Sequence, residues 1–385
     1  MTYLDWASGW PINRAALKKY NEVAKLKGNF SSTHKYGFQI FKIVEQARSD
    51  IANYLHIRPK NIIFTSGGTE SNNLALQGIY RKIYKQLNGQ KKIIVTTLME
   101  HPSVVNTARN LAGENIIYLK NDKFGLVDLS NLQLVLNEFY NEIALVSVHY
   151  INNEIGTKQK IEKISQMCLE KSIPFHTDAV QAHEFSQNHA FSNFFMSISS
   201  HKIGGPGQIG VLTVPDFNLL DPVMLGGGQE MGLRSGTLGA ASIAAFAEAC
   251  KEMYNSNKDI LNKKFFKLAN SFFQSNLLAD NTENLPNSRF SLNGPPINDL
   301  NRVNYIINLS INSNKSPDEI VYLFDSNNIA ISFGSACSAK TLGPSNVLLA
   351  LGQNADQASK GLRISFGPST KKSDINNFLA VLKLI

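Results

Sequence analysis

Phe194-Phe195-Met196-Ser197-Ile198-Ser199 runs directly into Ser200-His201-Lys202-Ile203-Gly204-Gly205-Pro206-Gly207. The first part is an apolar, strand-length run; the second is a turn rich in glycine and proline. A lone lysine is usually a surface residue. Lys202 instead follows a strand end, beside a histidine, at the mouth of a turn. An amine held in a cleft there is desolvated, which lowers its pKa and suits it to Schiff-base chemistry. Working outward, further strand-length runs lie at 62–66, 93–97, 116–119, 143–148, 175–178 and 209–214. Between several of them apolar residues fall at helical spacing, as in Ile40, Val44, Ala47, Ile51 and Leu55, or Leu132, Val135, Leu136 and Phe139. This alternation predicts an α/β fold, a mainly parallel sheet flanked by helices. Past about residue 245 the texture changes. A helical pattern (Leu261, Phe265, Leu268, Phe272) leads into a Pro/Asn/Gly-rich stretch at 281–300, then strand candidates at 305–311, 329–332 and 363–366. The expected organisation is a large domain over 14–245, with 1–13 and 246–385 forming a smaller α+β domain.

Composition narrows the function. With 43% apolar and 18% charged residues among 385, extensive disorder is excluded. A net charge of +8 is spread without a dense Lys/Arg block, so no direct nucleic-acid partner is expected. No run of 18 apolar residues occurs, and Met1-Thr2-Tyr3-Leu4-Asp5 does not open a secretory leader, so no membrane partner is expected either. Three widely separated cysteines, Cys168, Cys250 and Cys337, form neither a disulfide framework nor a zinc motif. A reducing, cytoplasmic location is the expectation.

Open α/β sheets bind ligands at the carboxyl ends of their strands. The 62–66 run ends in Thr65-Ser66-Gly67-Gly68-Thr69-Glu70-Ser71-Asn72-Asn73, where glycines and the N–H groups of a new helix suit a phosphate. Taken alone it is equally a capped βα turn. The 175–178 run ends at Asp178, which alone is more often a turn-forming carboxylate. Pyridoxal phosphate requires a lysine for its aldehyde, an acid for its pyridine nitrogen and donors for its phosphate. Lys202, Asp178 and the Gly67–Thr69 turn supply all three at strand ends of one sheet, and the combination is far more specific than any part. Two segments stay unassigned by the fold: Gly226-Gly227-Gly228-Gln229-Glu230 leading to Arg234-Ser235-Gly236-Thr237, and Gly334-Ser335-Ala336-Cys337-Ser338. Cys168 and Cys250 sit in apolar helical settings, whereas the small polar neighbours of Cys337 suggest exposure.

On these residues, with Asn152-Asn153-Glu154-Ile155-Gly156 and Ser199-Ser200-His201-Lys202, the chain resembles the cysteine desulfurases of the NifS/IscS type, pyridoxal-phosphate enzymes of fold type I. The resemblance runs from Tyr3-Leu4-Asp5 to Leu362-Arg363-Ile364-Ser365-Phe366-Gly367. It implies that Lys202 holds the cofactor, Asp178 pairs with its pyridine nitrogen, and His101 stacks on its ring and exchanges protons. It assigns the ring oxygen to Asn153 and Gln181. The phosphate falls to Gly68, Thr69, Ser199 and His201, with Thr237 supplied by the second subunit of a homodimer. Arg363 then takes the substrate carboxylate, with Asn153 beside it, and Cys337 takes the sulfur of L-cysteine as a persulfide. The spacing from Cys337 to Pro344-Ser345-Asn346 resembles the subgroup whose long cysteine loop hands sulfur to an acceptor protein, an iron–sulfur scaffold or a tRNA-thiolation carrier. The chain departs from the family pattern at Ala7-Ser8-Gly9-Trp10, Phe30, Leu225 and Met231. A selenocysteine lyase, a class V aminotransferase, or a non-catalytic paralogue acting as a partner subunit are the alternatives.

Overall fold

The computed structural model describes residues 1–185, 190–256, 258–273, 289–333 and 343–385. Strands β1 (Thr2–Tyr3), β2 (Ile62–Thr65), β3 (Ile93–Thr96), β4 (Ile116–Tyr118), β5 (Ile143–Ser147), β6 (Phe175–Asp178), β7 (Phe195–Ser199) and β8 (Gly210–Thr213) alternate with helices. These are α1 (Arg14–Ala24), α2 (Lys35–Leu55), α3 (Gly68–Gln86), α4 (Pro102–Ala112), α5 (Leu129–Phe139), α6 (Ile161–Glu170) and α7 (Ala240–Asn255). Seven strands form one sheet in the order β2-β8-β7-β6-β5-β3-β4. All neighbours are parallel except at β8, which runs against both β7 and β2. The reason is chain length. Only residues 200–209 join β7 to β8, too few for the crossover that parallel neighbours need.

Successive strand residues face opposite ways, and both faces are covered. Ile63, Ile94 and Phe195 pack with Leu74, Ile79 and Val104 of α3 and α4 on one side. Phe64, Val95 and Met196 pack with Val44, Leu136 and Ile164 of α2, α5 and α6 on the other. The helical spacing read over 40–55 is the buried face of α2: Ile40, Val44, Ala47, Ile51 and Leu55 are all enclosed.

The remainder adds α8 (Lys258–Phe273), β9 (Phe290–Asn293), β10 (Ile306–Ile311), α9 (Pro317–Ser326), β11 (Ile329–Ala330), β12 (Ser332–Phe333), α10 (Asn346–Ala350), α11 (Ala355–Ser359), β13 (Gly361–Ser365) and α12 (Lys372–Leu382). An antiparallel sheet in the order β12-β13-β10-β9 is its centre. Two expectations change here. The 329–332 run is two strands: β11 pairs with β1, β12 pairs with β13, and the chain changes sheets at Ile331. Strand β9 emerges from the Pro/Asn/Gly-rich stretch, where Phe290-Ser291-Leu292-Asn293 is too short an alternation to stand out beside Gly294-Pro295-Pro296. The N-terminus is stitched to this half. Ser365 N donates to the Leu4 carbonyl at 2.7 Å, and Ala7 N donates to Ser365 Oγ at 2.8 Å. That stitching sets residues 5–8 beside Arg363 on β13.

A histidine lies in the middle of the large sheet. His176 on β6 is fully buried between Ser147 Oγ (2.8 Å) on β5 and Ser197 Oγ (3.0 Å) on β7. Burial pushes its pKa down from 6.5 to about 3. The unfolded chain therefore binds this proton below about pH 6.5, and the native state does so only near pH 3. Stability contributed by neutral His176 is complete above pH 6.5 and falls as pH drops, by about 1.4 kcal/mol per unit. In urea titrations from pH 7 to 5, His176→Gln is expected to show a slope of stability against pH shallower by about one proton than the parent. Equal slopes would contradict a neutral, buried imidazole.

Candidate active site

At the end of β2 the chain turns through Gly67, whose φ of +146° is a region that side chains other than glycine rarely enter, and α3 begins at Gly68. The turn is crowded: a Cβ on Gly68 would lie 2.6 Å from Val180 Cγ2. At the end of β7 a single 3₁₀ turn, Ser200–Lys202, delivers His201 and Lys202 to the same mouth. Ser199 Oγ and His201 Nδ1 are 2.8 Å apart, and burial followed by the Lys202 charge lowers the His201 pKa to about 4. The imidazole is thus neutral at pH 7, with one nitrogen tied to Ser199. Gly68, Thr69, Ser199 and His201 all line one cavity, of about 780 Å³ counted out to its mouth.

The acid and a histidine of the cavity are joined by a hydrogen-bond chain. Asp178 Oδ2 accepts from Asn72 Nδ2 at 2.7 Å, and Asp178 Oδ1 accepts from Val180 N at 3.0 Å. Asn72 Nδ2 also donates to Ser103 Oγ at 2.8 Å, and Ser103 Oγ lies 2.7 Å from His101 Nδ1. Nδ1 accepts from Ser103 N at 3.1 Å, which places the ring proton on Nε2 in the neutral form of His101. Both Asp178 and His101 line the cavity.

Lys202 Nζ donates to the carbonyls of Ala7 (2.7 Å) and Ser8 (2.8 Å), and Gln181 Nε2 also donates to Ala7 O at 2.9 Å. Arg363 is 1% exposed yet lines the cavity. Its Nη1 donates to the Asn153 carbonyl at 3.0 Å, while Nη2 donates to Asp5 Oδ1 at 2.8 Å and Ser8 Oγ at 2.6 Å.

Of the residues singled out in the sequence, Gly68, Thr69, His101, Asn153, Asp178, Gln181, Ser199, His201, Lys202 and Arg363 converge on this cavity. Thr237 is exposed and outside its lining. Cys337 lies outside the described residues. The sequence reading did not single out Asn72 and Ser103, which couple acid to histidine, or His149, which lines the cavity with Nδ1 2.7 Å from Glu100 Oε1. Asn72 was within reach, since it belongs to the quoted 65–73 motif. His149 left no local signal.

The Gly-rich segment also acquires a role in the fold. Glu230 is buried, takes Arg48 Nη1 and Nη2 at 3.0 and 2.7 Å, and accepts from Phe64 N at 2.7 Å. Arg234 Nε and Nη2 donate to the Glu70 carboxylate at 2.7 and 3.1 Å. Burial alone would raise the Glu70 pKa, but the Arg234 and Ser66 hydrogen bonds bring it below the usual range. The segment around Thr237 is thereby pinned to β2 and the first turn of α3.

These residues fit pyridoxal phosphate. Unpaired N–H groups at the start of α3, with a hydroxyl and a neutral imidazole at the end of β7, are a phosphate donor set. A lysine amine and a carboxylate fixed by two donors face the same space. The Aminotransferase class-V family model matches residues 2–378. A mitochondrial cysteine desulfurase of Candida maltosa is 38% identical over 97% of this chain and 75% of that protein. Cysteine desulfurase IscS of Pseudoalteromonas translucida is 32% identical over 99% of this chain and 91% of its own length. A solved NifS-like protein from Rickettsia africae superposes with a TM-score of 0.83 at 28% identity, covering 100% of this chain and 99% of that one. Likeness along the whole length, together with a cavity built for that cofactor, means that the chain belongs to the class-V aminotransferase family and, within it, to the pyridoxal-phosphate-dependent cysteine desulfurases.

Proposed function

We propose that the enzyme converts L-cysteine to L-alanine and passes the sulfur, as a persulfide on Cys337, to an acceptor protein serving iron–sulfur cluster assembly or tRNA thiolation. The observation that carries this reading is the convergence of Lys202, Asp178, the start of α3 and Arg363 on one cavity. Gly68, Thr69, Ser199 and His201 hold the cofactor phosphate, Asn153 and Gln181 its ring oxygen, and His101 its ring face. Bound pyridoxal phosphate supplies an electron sink for the bonds at the substrate's Cα. Asp178 keeps the ring nitrogen protonated, and Lys202 takes and returns the Cα proton. Arg363 holds the substrate carboxylate, a planar bidentate task that lysine performs poorly. The Cys337 thiolate attacks the substrate sulfur: an S–S bond forms, the Cβ–S bond breaks, and Cβ gains a proton, with His101 as donor.

The same reading includes a homodimer in which Thr237 of a second copy completes the phosphate site. It divides the chain into a large domain over 14–245 and a small one of 1–13 and 246–385, and places the protein in the cytoplasm. Incubation of the holoenzyme with L-cysteine and excess thiol is expected to release alanine and sulfide in equal amounts. Keto acid and pyridoxamine phosphate in their place would identify an aminotransferase and overturn the reading.

A further inference from the structure

The segment 5–8 touches both cationic groups of the cavity, and Ser8 alone touches them with two different atoms. Its carbonyl accepts from Lys202 Nζ at 2.8 Å, and its hydroxyl accepts from Arg363 Nη2 at 2.6 Å. Ser8 is half-buried and outside the cavity lining, to which Ala7, Lys202 and Arg363 belong. It reaches the guanidinium without itself lining the cavity. Arg363 comes from the middle of the antiparallel sheet, between Asn308 on β10 and Ser332 on β12, and Asp5 takes the other Nη2 bond at 2.8 Å. Asp5 neutralises the charge. The Asn153 carbonyl holds Nη1 at 3.0 Å, and Nη2 is shared between Asp5 and Ser8; Ser8 is thus the neutral side chain among three acceptors that together set the plane of the guanidinium.

We infer that Ser8 is a positioning residue for the substrate carboxylate, acting through the orientation of Arg363. The inference rests on the carboxylate-clamp role of Arg363 proposed above. A bidentate pair depends on coplanarity, and a buried arginine that loses one acceptor is left with an N–H to satisfy by turning. The Ser8 carbonyl survives replacement of the side chain, so the Lys202 contact is preserved in variants. The consequence is selective: ligands with a carboxylate lose affinity, and those without one do not.

The test uses holoenzyme variants Ser8→Ala, Ser8→Thr and Arg363→Lys. Cofactor absorbance is titrated with L-alanine and with L-alaninamide, which lacks the carboxylate, alongside kcat and KM for L-cysteine. In Ser8→Ala the dissociation constant for L-alanine is expected to rise about tenfold and that for L-alaninamide less than about twofold, with KM rising and kcat nearly constant. Ser8→Thr restores the parent values because it keeps the hydroxyl. Equal weakening of acid and amide in Ser8→Ala, or no change in either, overturns the inference. Arg363→Lys separates the two levels. If it loses the preference for acid over amide while Ser8→Ala keeps it, Ser8 alone is wrongly assigned. If Arg363→Lys keeps that preference, the clamp role falls and the inference with it.

Discussion

Lys202→Ala is expected to lower turnover of L-cysteine by about 10⁴-fold or more, since in the proposed mechanism one substitution removes both the covalent anchor and the base at Cα. The surrounding frame should survive. Lys202 sits at the end of a one-turn 3₁₀ segment whose Ser200 N donates to Ile209 O, and its Nζ contacts to the carbonyls of Ala7 and Ser8 are to main-chain atoms already held by the fold. Phosphate donors and Asp178 remain, so the variant still takes up the cofactor, now reversibly. Borohydride treatment followed by peptide mass analysis reads this out: the parent carries the cofactor mass on the peptide containing Lys202, and the variant carries none. Turnover within tenfold of the parent would show that another amine does this work.

The second large effect is at Cys337. Cys337→Ser is expected to abolish both alanine and sulfide production, because a serine hydroxyl neither attacks divalent sulfur nor holds it as a persulfide. The other two thiols cannot substitute. Cys168 on α6 is fully buried and its pKa is pushed up to about 12 by burial; Cys250 on α7 is also fully buried and pushed well above its ordinary value. Neither forms a thiolate at neutral pH, and a thiolate is the nucleophile in sulfur chemistry. Cys168→Ala and Cys250→Ala should therefore retain persulfide formation, measured by alkylation and mass analysis after a single turnover with cysteine. Full activity in Cys337→Ser would overturn the assignment.

What could be read from the sequence follows the range of the interactions involved. The 175–178 run and β6 coincide, and Gly67-Gly68-Thr69 opens α3, because alternation and glycine punctuation are local signals. Lys202, Asp178 and the start of α3 could be grouped before any coordinates, since strand ends of one sheet meet on one side. The antiparallel course of β8 was also implicit in the ten residues after β7. The contacts that orient the site were not legible. Asn72 reaches Asp178 across 106 residues, Glu230 reaches Arg48 across 182, and Ser8 reaches Arg363 across 355. No periodicity records such pairs. The division of 329–332 between two sheets was hidden for the same reason, as β1 and β13, at opposite ends of the chain, supply the partners.

The anchoring of the Gly-rich segment has a consequence for assembly. A loop that must order itself on meeting another molecule gives up about 0.5–1.5 kcal/mol for each mobile side chain it freezes. Here Glu230 and Arg234 hold the frame around exposed Thr237 before any encounter, through Arg48, Phe64 N and Glu70. Two copies meeting across this face would dock as preformed bodies. In the proposed homodimer, association would then be limited by diffusion and orientation, and separation on dilution would leave each copy's own phosphate donors in place, with only Thr237 of the second copy removed.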